Sequence, residues 1–402
     1  MSEEGPAPRP AGLVALGLLF ARLSVTSFGG PAAHIALMQR ELVEERGWLT
    51  NAEFLDLVGA SNVIPGPTST EVALYTGRRH GGIPGLVVAG LGFIGPAAVI
   101  VGIFAWFYAR YGTRPSVTDV LDGVKPVVLA IVAVAVARLA RTAFTSRLLV
   151  GIGAVVLVAY LAGLNEPVLL LAASAFAASA RLWRHRRPGP PSALVALLVA
   201  AGRPGWDGRS AWALPGLAAG AASVQAEPAD LPRLFGAFLK IGTLLFGSGY
   251  VLLAFLKRDL VDTYGWLTEG QLLDAVAIGQ VTPGPLFTTA TFVGYLLRGV
   301  PGAVIATVAI FLPAFVFTAV LEPVIAKLRN RPSTAAALDG LNAAAVALMA
   351  GVTWFLGRDA VTGAPTALLA AGALLALLRW NVNPVWLMAA GAAAGLVFRG
   401  HL

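Results

Sequence analysis

The chain has 402 residues, 57% of them hydrophobic and only 12% charged, with a mean hydropathy of +0.76. Soluble domains carry about 25% charged residues, so this composition excludes an ordinary soluble enzyme and points to an all-α polytopic protein of the cell membrane, with the lipid bilayer as its solvent. The net charge of +8 is spread in short basic clusters beside apolar runs, which sets membrane orientation and offers no stripe for nucleic acid; the lack of cysteine excludes disulfides and thiolate metal sites.

In chain order, the first apolar helix is expected over 11–27. It could pass for a signal sequence, but Arg22 interrupts it and a second copy recurs inside the chain, so it is expected to be kept. A glycine break follows in "SFGGP" from Ser27, then "QRELVEERGW" from Gln39, expected as an amphipathic segment at the membrane surface. Two short pieces, 52–64 and 68–79, flank Pro65-Gly66-Pro67. At 1.5 Å per residue each makes roughly 20 Å of helix, short of the roughly 30 Å hydrocarbon core, so together they suggest a re-entrant hairpin. Further spans are expected at 84–109, 122–141, 147–164 and 167–183. A basic, Pro/Gly-rich linker, 184–230, then leads to the second half, 231–402.

The second half repeats the first. At an offset of 218 residues, "FGGPAAHIALMQRELVEERGWLTNAEFLDLVGASNVIPGP" from Phe28 aligns without a gap with "FGSGYVLLAFLKRDLVDTYGWLTEGQLLDAVAIGQVTPGP" from Phe246; beyond the second PGP the register continues at 217. Five spans per half is an odd number, so an uncrossed linker leaves the second copy inverted, as in many secondary transporters. The Lys/Arg distribution favours this arrangement with the linker in the cytoplasm and both termini outside.

Arg22 in the first helix and Lys240 at the matching place are cations where lipid is expected. Such charges are costly in hydrocarbon and face a protein interior or a water-filled path, snorkel to an interface, or pair with a carboxylate. Asp56 and Asp274 are the matched carboxylates of their own repeats. The alternative is that the two cations serve an anion path. The PGP tips favour an anion, because proline ends one helix and starts another, and the new helix points free backbone N–H groups and its positive end inward. Gly66, Pro67, Thr68, Ser69 and Thr70 lie at one tip, Pro283, Gly284, Pro285 and Thr288 at the other. The glycine breaks, Phe28-Gly29-Gly30 and Gly247, fit either a backbone nest for an anion or a tight turn. Glu71, with Thr289 as its counterpart, could carry a coupling proton or neutralise Arg22; His34, matched by Leu252, could gate or handle protons, or be an interfacial polar residue.

"FGGPAAHI", "RGWLT" and "NVIPGPTSTE", with "FGSGY", "YGWLT" and "TPGP" in the second copy, resemble the signatures of the chromate ion transporter family in its long two-domain form. The resemblance implies a membrane carrier exporting chromate and conferring resistance, with sulfate as a competing anion, and assigns importance to Phe28–Ile35 and Pro65–Pro67. It implies no cofactor and no metal. A homodimer is compatible with it. The rival readings are a carrier of sulfate or another oxyanion and, from other classes, an intramembrane enzyme or a lipid scramblase or scaffold. No HExxH, GxSxG or nucleotide-binding motif occurs.

Overall fold

The computed structural model describes residues 12–27, 31–61, 66–186, 229–245, 251–329, 332–380 and 382–398, and every regular element among them is helical. The first half contains α1 (Leu13–Thr26), α2 (Pro31–Gln39) running into a π-helical turn (Arg40–Glu45), α3 (Asn51–Ser61), α4 (Thr68–Tyr111), α5 (Pro115–Ala143), α6 (Arg147–Leu161) and α7 (Glu166–Arg186). The second contains α8 (Leu231–Leu244), α9 (Leu252–Leu256) with its own π-turn (Lys257–Thr263), α10 (Glu269–Val281), α11 (Thr289–Arg329), α12 (Pro332–Ala360), α13 (Ala364–Arg379) and α14 (Pro384–Val397). Four helical segments are long and apolar enough to cross a bilayer: Thr68–Tyr111, Pro115–Ala143, Leu286–Val320 and Pro332–Arg358. Shorter apolar helices are Leu13–Thr26, Arg147–Leu161, Ala364–Arg379 and Pro384–Val397.

α4 and α11 are each two arms folded back on themselves. The reversal falls at Gly81 (φ −142°, ψ 16°) and Gly82 (φ 60°, ψ −145°) in α4, and at Arg298 (φ −144°, ψ 23°) and Gly299 (φ 60°, ψ −148°) in α11. A positive φ with extended ψ is open to glycine and nearly closed to other residues. Sequence placed a break between the pieces 68–79 and 84–109, and the chain turns there. The arms touch backbone to backbone, Gly77 against Gly85 and Gly294 against Gly302, leaving no room for a Cβ at any of the four.

The long second arms run past each other antiparallel: Gly90 of α4 lies under Phe315 of α11, while Ala98–Phe107 face Val300–Val308. The outer helices are exchanged between halves. α5 packs on α13 and α14, whereas α12 packs on α6 and α7. Small residues make these contacts close: Gly123 lies against the backbone of Gly391 and Gly395, and Gly340 against Ala173 and Ala177. Close backbone approach through residues spaced four apart is how helices associate where lipid removes the hydrophobic drive.

"QRELVEERGW" does not lie wholly on a surface. Its π-turn buries Glu41 and Leu42, and Trp48 and Leu49 are also buried, their backbone N–H groups donating to Leu42 O at 2.8 Å and 3.1 Å. The segment has two faces, with Arg40, Glu44, Glu45 and Arg46 exposed; a π-turn advances the chain by an extra residue, which adds a carboxylate to the inward face.

Replacing Gly77 or Gly294 with leucine should destabilise the fold by about 1–3 kcal/mol through overpacking. Gly95→Ala, where nothing lies within 4 Å of the added carbon, should be neutral or slightly stabilising. Size-exclusion profiles of detergent-solubilised protein after graded heating measure the difference.

Candidate functional site

The two PGP tips cross at the ends of the opposite halves' first helices. α1 ends at Thr26 and α8 at Leu244; the next residues, Ser27 (φ −86°, ψ 95°) and Leu245 (φ −90°, ψ 97°), are extended alike. Gly66 N–H donates to Leu245 O at 2.8 Å, and Gly284 N–H donates to Ser27 O at 3.2 Å. Each tip rests on the long helix of the other half: Gly66 beside Ala314 and Gly284 beside Ala97. Both glycines have positive φ, 150° and 99°, so the conformation and the close approach both require the missing side chain.

Beyond each tip a helix begins. Pro67 is extended (φ −77°, ψ 117°) and caps α4, whose first backbone bond runs from Glu71 N–H to Pro67 O at 3.1 Å. The N–H groups of Thr68, Ser69 and Thr70 therefore precede the intrahelical ladder and carry the positive end of the helix. Ser69 and Thr70 are buried, Thr68 partly so. At the second tip Pro283, Gly284 and Pro285 are buried, and Leu286–Thr288 form a 3₁₀ turn leading into α11. Here the hydroxyls turn back on their own backbone: Thr288 Oγ1 donates to Pro285 O at 2.8 Å and Thr289 Oγ1 to Leu286 O at 2.8 Å. The tips are alike in backbone and different in available donors.

Buried polar groups without partners among the described residues lie around both tips, Thr70 and Glu71 at the first, Ser24 and Ser27 against Gly284 of the second. Ser24 Oγ, Ser27 Oγ, Thr70 Oγ1 and both Glu71 oxygens are buried and make no hydrogen bond among the described residues. Glu71 is fully buried, with Oε1 2.7 Å from where a Cβ on Gly66 would lie. His34 closes the group: Nε2 is 3.1 Å from Ser27 O and Nδ1 is 3.3 Å from Ser69 Oγ. Since Ser27 O can only accept, Nε2 carries the proton and Nδ1 accepts from Ser69. The ring stands edge-on to Phe93, 5.9 Å between centroids. His34 is thus a buried bridge, not an interfacial residue.

Arg22 and Lys240 are placed otherwise than either matched-carboxylate pairing or an enclosed anion path expects. Arg22 pairs with Glu41, which also meets Arg46 Nε at 3.4 Å. Lys240 Nζ lies 2.9 Å from both oxygens of Asp259. The cationic side chains are 57% and 44% exposed, while Glu41 and Asp259 are buried. Asp274 is not the partner of Lys240: it accepts from Tyr108 Oη at 2.7 Å and lies 3.7 Å from Lys125, both in the first half. Nor does Arg22 neutralise Glu71. The two acids that do hold the cations, Glu41 and Asp259, stand at the same 218-residue offset, a signal the sequence carried. Phe28, Gly29, Gly30, Pro65, Gly247 and the side chain of Asp56 lie outside the described residues.

Formal charge separates the halves. Arg22, Arg46 and Glu41 sum to +1, whereas Lys240 and Asp259 cancel, because Tyr264 stands where the first half has Arg46. Arg46 also lies over the Trp48 ring at 5.2 Å, while Tyr264 stacks on Trp266 at 4.5 Å.

A family model described as "Chromate transporter" matches the chain over residues 14–179 and 232–396. The chain belongs to the chromate transporter family. Among the curated members of that family, a chromate transport protein of Cupriavidus metallidurans is 33% identical over 95% of this chain and 92% of its own length. A probable chromate transport protein of Synechococcus elongatus is 33% identical over 94% of each chain, and a chromate transport protein of Pseudomonas aeruginosa is 32% identical over 97% of this chain and 94% of its own. No solved structure matches.

The buried acids give a direct test. Lys240→Ala leaves Asp259 without its cation and should cost about 1–3 kcal/mol, the penalty of a buried charged group losing its partner. The double variant Lys240→Met with Asp259→Leu should recover much of that loss. Thermal unfolding of the purified variants in a double-mutant cycle reads the coupling.

Proposed function

We propose that this chain is a secondary transporter that carries chromate out of the cell by alternating access and so confers resistance to it. The names of the relatives supply the substrate. The observation that carries the site is the crossing of the two tips: His34 bridges Ser69, at the helix start after the first tip, to Ser27, beside Gly284 of the second, and the hydroxyls of Ser24, Ser27 and Thr70 around this bridge are buried with no partner among the described residues. A tetrahedral dianion presents only acceptors, and such a set matches it. We place substrate between Thr68–Thr70, Ser24 and Ser27, with the second tip as support, because the hydroxyls of Thr288 and Thr289 are already engaged. Arg22 and Lys240 act at the approach, where their exposed side chains attract the anion, and not as enclosed ligands.

Inverted topology, with five spans and a re-entrant hairpin per half, is part of the same proposal. Equivalent helices α4 and α11 run antiparallel, which supports a two-fold axis in the membrane plane, the geometry of an inverted repeat. Outward movement of a dianion down an inside-negative potential gains about 2.3 kcal/mol per charge per 100 mV. Glu71, which has no equivalent carboxylate in the second half, is proposed as the coupling group. Sulfate shares the donor demand and is the runner-up substrate.

Chromate flux into proteoliposomes under an imposed potential tests these roles. Ser24→Ala and Thr70→Val should each raise KM about tenfold, the effect of losing roughly 1.4 kcal/mol of hydrogen bonding to an ion. Glu71→Gln should keep potential-driven flux while abolishing its response to a pH gradient. Unchanged KM in both tip variants would move the site elsewhere, and sulfate outcompeting chromate at equal concentration would exchange the two substrates.

A further inference from the structure

The long arms of α4 and α11 leave a groove of about 660 Å³ on one side of their crossing, walled by Ala98 to Phe107 and by Thr291 to Val308. Of its three hydroxyl-bearing residues, Thr291 and Thr307 pair at 2.7 Å, with Thr307 also donating to Ala303 O at 2.6 Å, and Tyr295 is half-buried in the wall. The surface of the groove is overwhelmingly hydrocarbon, and its rim residues Val99, Ile103, Val300 and Val304 are more than half exposed.

The repeat shows what such a groove needs. At the 217-residue offset Ala98, Thr291 and Thr307 correspond to Phe315, Leu74 and Gly90. On that side of the crossing the Phe315 ring and Leu74 meet over Gly90, and Leu74, Leu86 and Ala314 form a closed apolar cluster with Phe315. One half fills the space with its own aromatic side chain; the other, with alanine in place of phenylalanine, leaves it open. An exposed apolar concavity on this scale calls for an apolar occupant.

Direction and charge define that occupant. Because the arms are antiparallel, the groove extends from the mid-helix crossing at Ala97 toward the end of α4, over one half of the arm. Trp106 and Phe107 form its outer wall, and Arg110 follows on the same helical face, four and three residues on. Arg110 is exposed and has no partner among the described residues, and Arg114, in the turn after α4, lies over the Tyr111 ring at 4.6 Å. Aromatic rings followed by arginine mark the level of lipid headgroups. We propose that the groove is a binding site for an anionic phospholipid, one acyl chain lying between α4 and α11 and the phosphate seated on Arg110. A second copy of the chain fits less well, since a helix laid along this wall would cover Arg110 without offering it a partner.

Native mass spectrometry of the full chain, purified and reloaded with phosphatidylglycerol or phosphatidylcholine of equal chain length, reads the site. One phosphatidylglycerol should be retained per chain, several-fold in preference to phosphatidylcholine. Ala98→Phe with Thr291→Leu and Thr307→Gly copies the packing of the other side and should lose that lipid, while Arg110→Gln should keep one lipid and lose the preference. If the triple variant does not fold, nanodiscs with brominated phosphatidylglycerol or phosphatidylcholine give a second reading. The quenched emission that disappears in Trp106→Phe should then favour phosphatidylglycerol in the wild type and neither lipid in Arg110→Gln. Equal retention by wild type and triple variant, quenching indifferent to headgroup, or a dimer lost on filling the groove would each overturn the proposal. None of these readouts depends on chromate.

Discussion

Two backbone hydrogen bonds, Gly66 N–H to Leu245 O and Gly284 N–H to Ser27 O, are the constraint on which the rest of the arrangement depends. A PGP tip interrupts a helix, so its glycine N–H and the carbonyls at the end of the preceding helix lack intrahelical partners. Within a bilayer such groups must be satisfied by protein. Here each half offers a carbonyl at the end of its first helix and needs one for its tip, and only the other half places the two within reach. Each bond contributes about 0.5–1.5 kcal/mol net, but a buried group left unpaired costs more, so the tips order together or not at all. The exchanged packing of α5 on α13 and α14, and of α12 on α6 and α7, repeats that logic at the periphery: each half is completed by helices of the other.

The frame is close to symmetric and its chemistry is not. Both halves keep a glycine tip, a folded-back pair of arms, a π-turn and a cation held by a buried acid at equivalent positions. Only the first half has His34 and Glu71, where the second has Leu252 and Thr289, and only the first has Arg46. Asp274 is clasped by Tyr108 and Lys125 from the first half, whereas the positions equivalent to those two residues are Ile325 and Asn342. Backbone requirements thus preserve the repeat, and side chains that touch only one face of the crossing are free to diverge.

Much of this was legible in the chain because it depends on local chemistry. Apolar runs gave the helices, and the duplicated PGP gave the tips. The break between 79 and 84 lay where two glycines permit the observed reversal. The ion pairs were only half legible: Glu41 and Asp259 recur in register, but so do Asp56 and Asp274. Asp274 shares its repeat with Lys240 and recurs in register, so sequence favours it, yet it faces the other half. The π-turn hid the true partners, because an extra residue in the turn changes which face an acid points to and defeats a 3.6-residue reckoning. The crossing bonds were equally hidden: they join backbone groups some 180 and 260 residues apart along the chain, and backbone donors and acceptors leave no trace in residue type.

Gly66 shows how tightly frame and chemistry are joined. Its N–H is committed to Leu245, and the space where a side chain would start is bounded by Glu71 Oε1 and the Ala314 methyl. Any Cβ there would collide with the carboxylate as well as strain a positive φ, so the residue that makes the crossing possible also keeps the space in which Glu71 sits. The matching glycine, Gly284, has Ala97 and Ser24 against it and no carboxylate. A hydroxyl-bearing serine on one side and a buried acid on the other are therefore positioned by the same backbone device. The device can hold a carboxylate that has no partner among the described residues because the two-sided crossing, and not the acid, supplies the tip's rigidity.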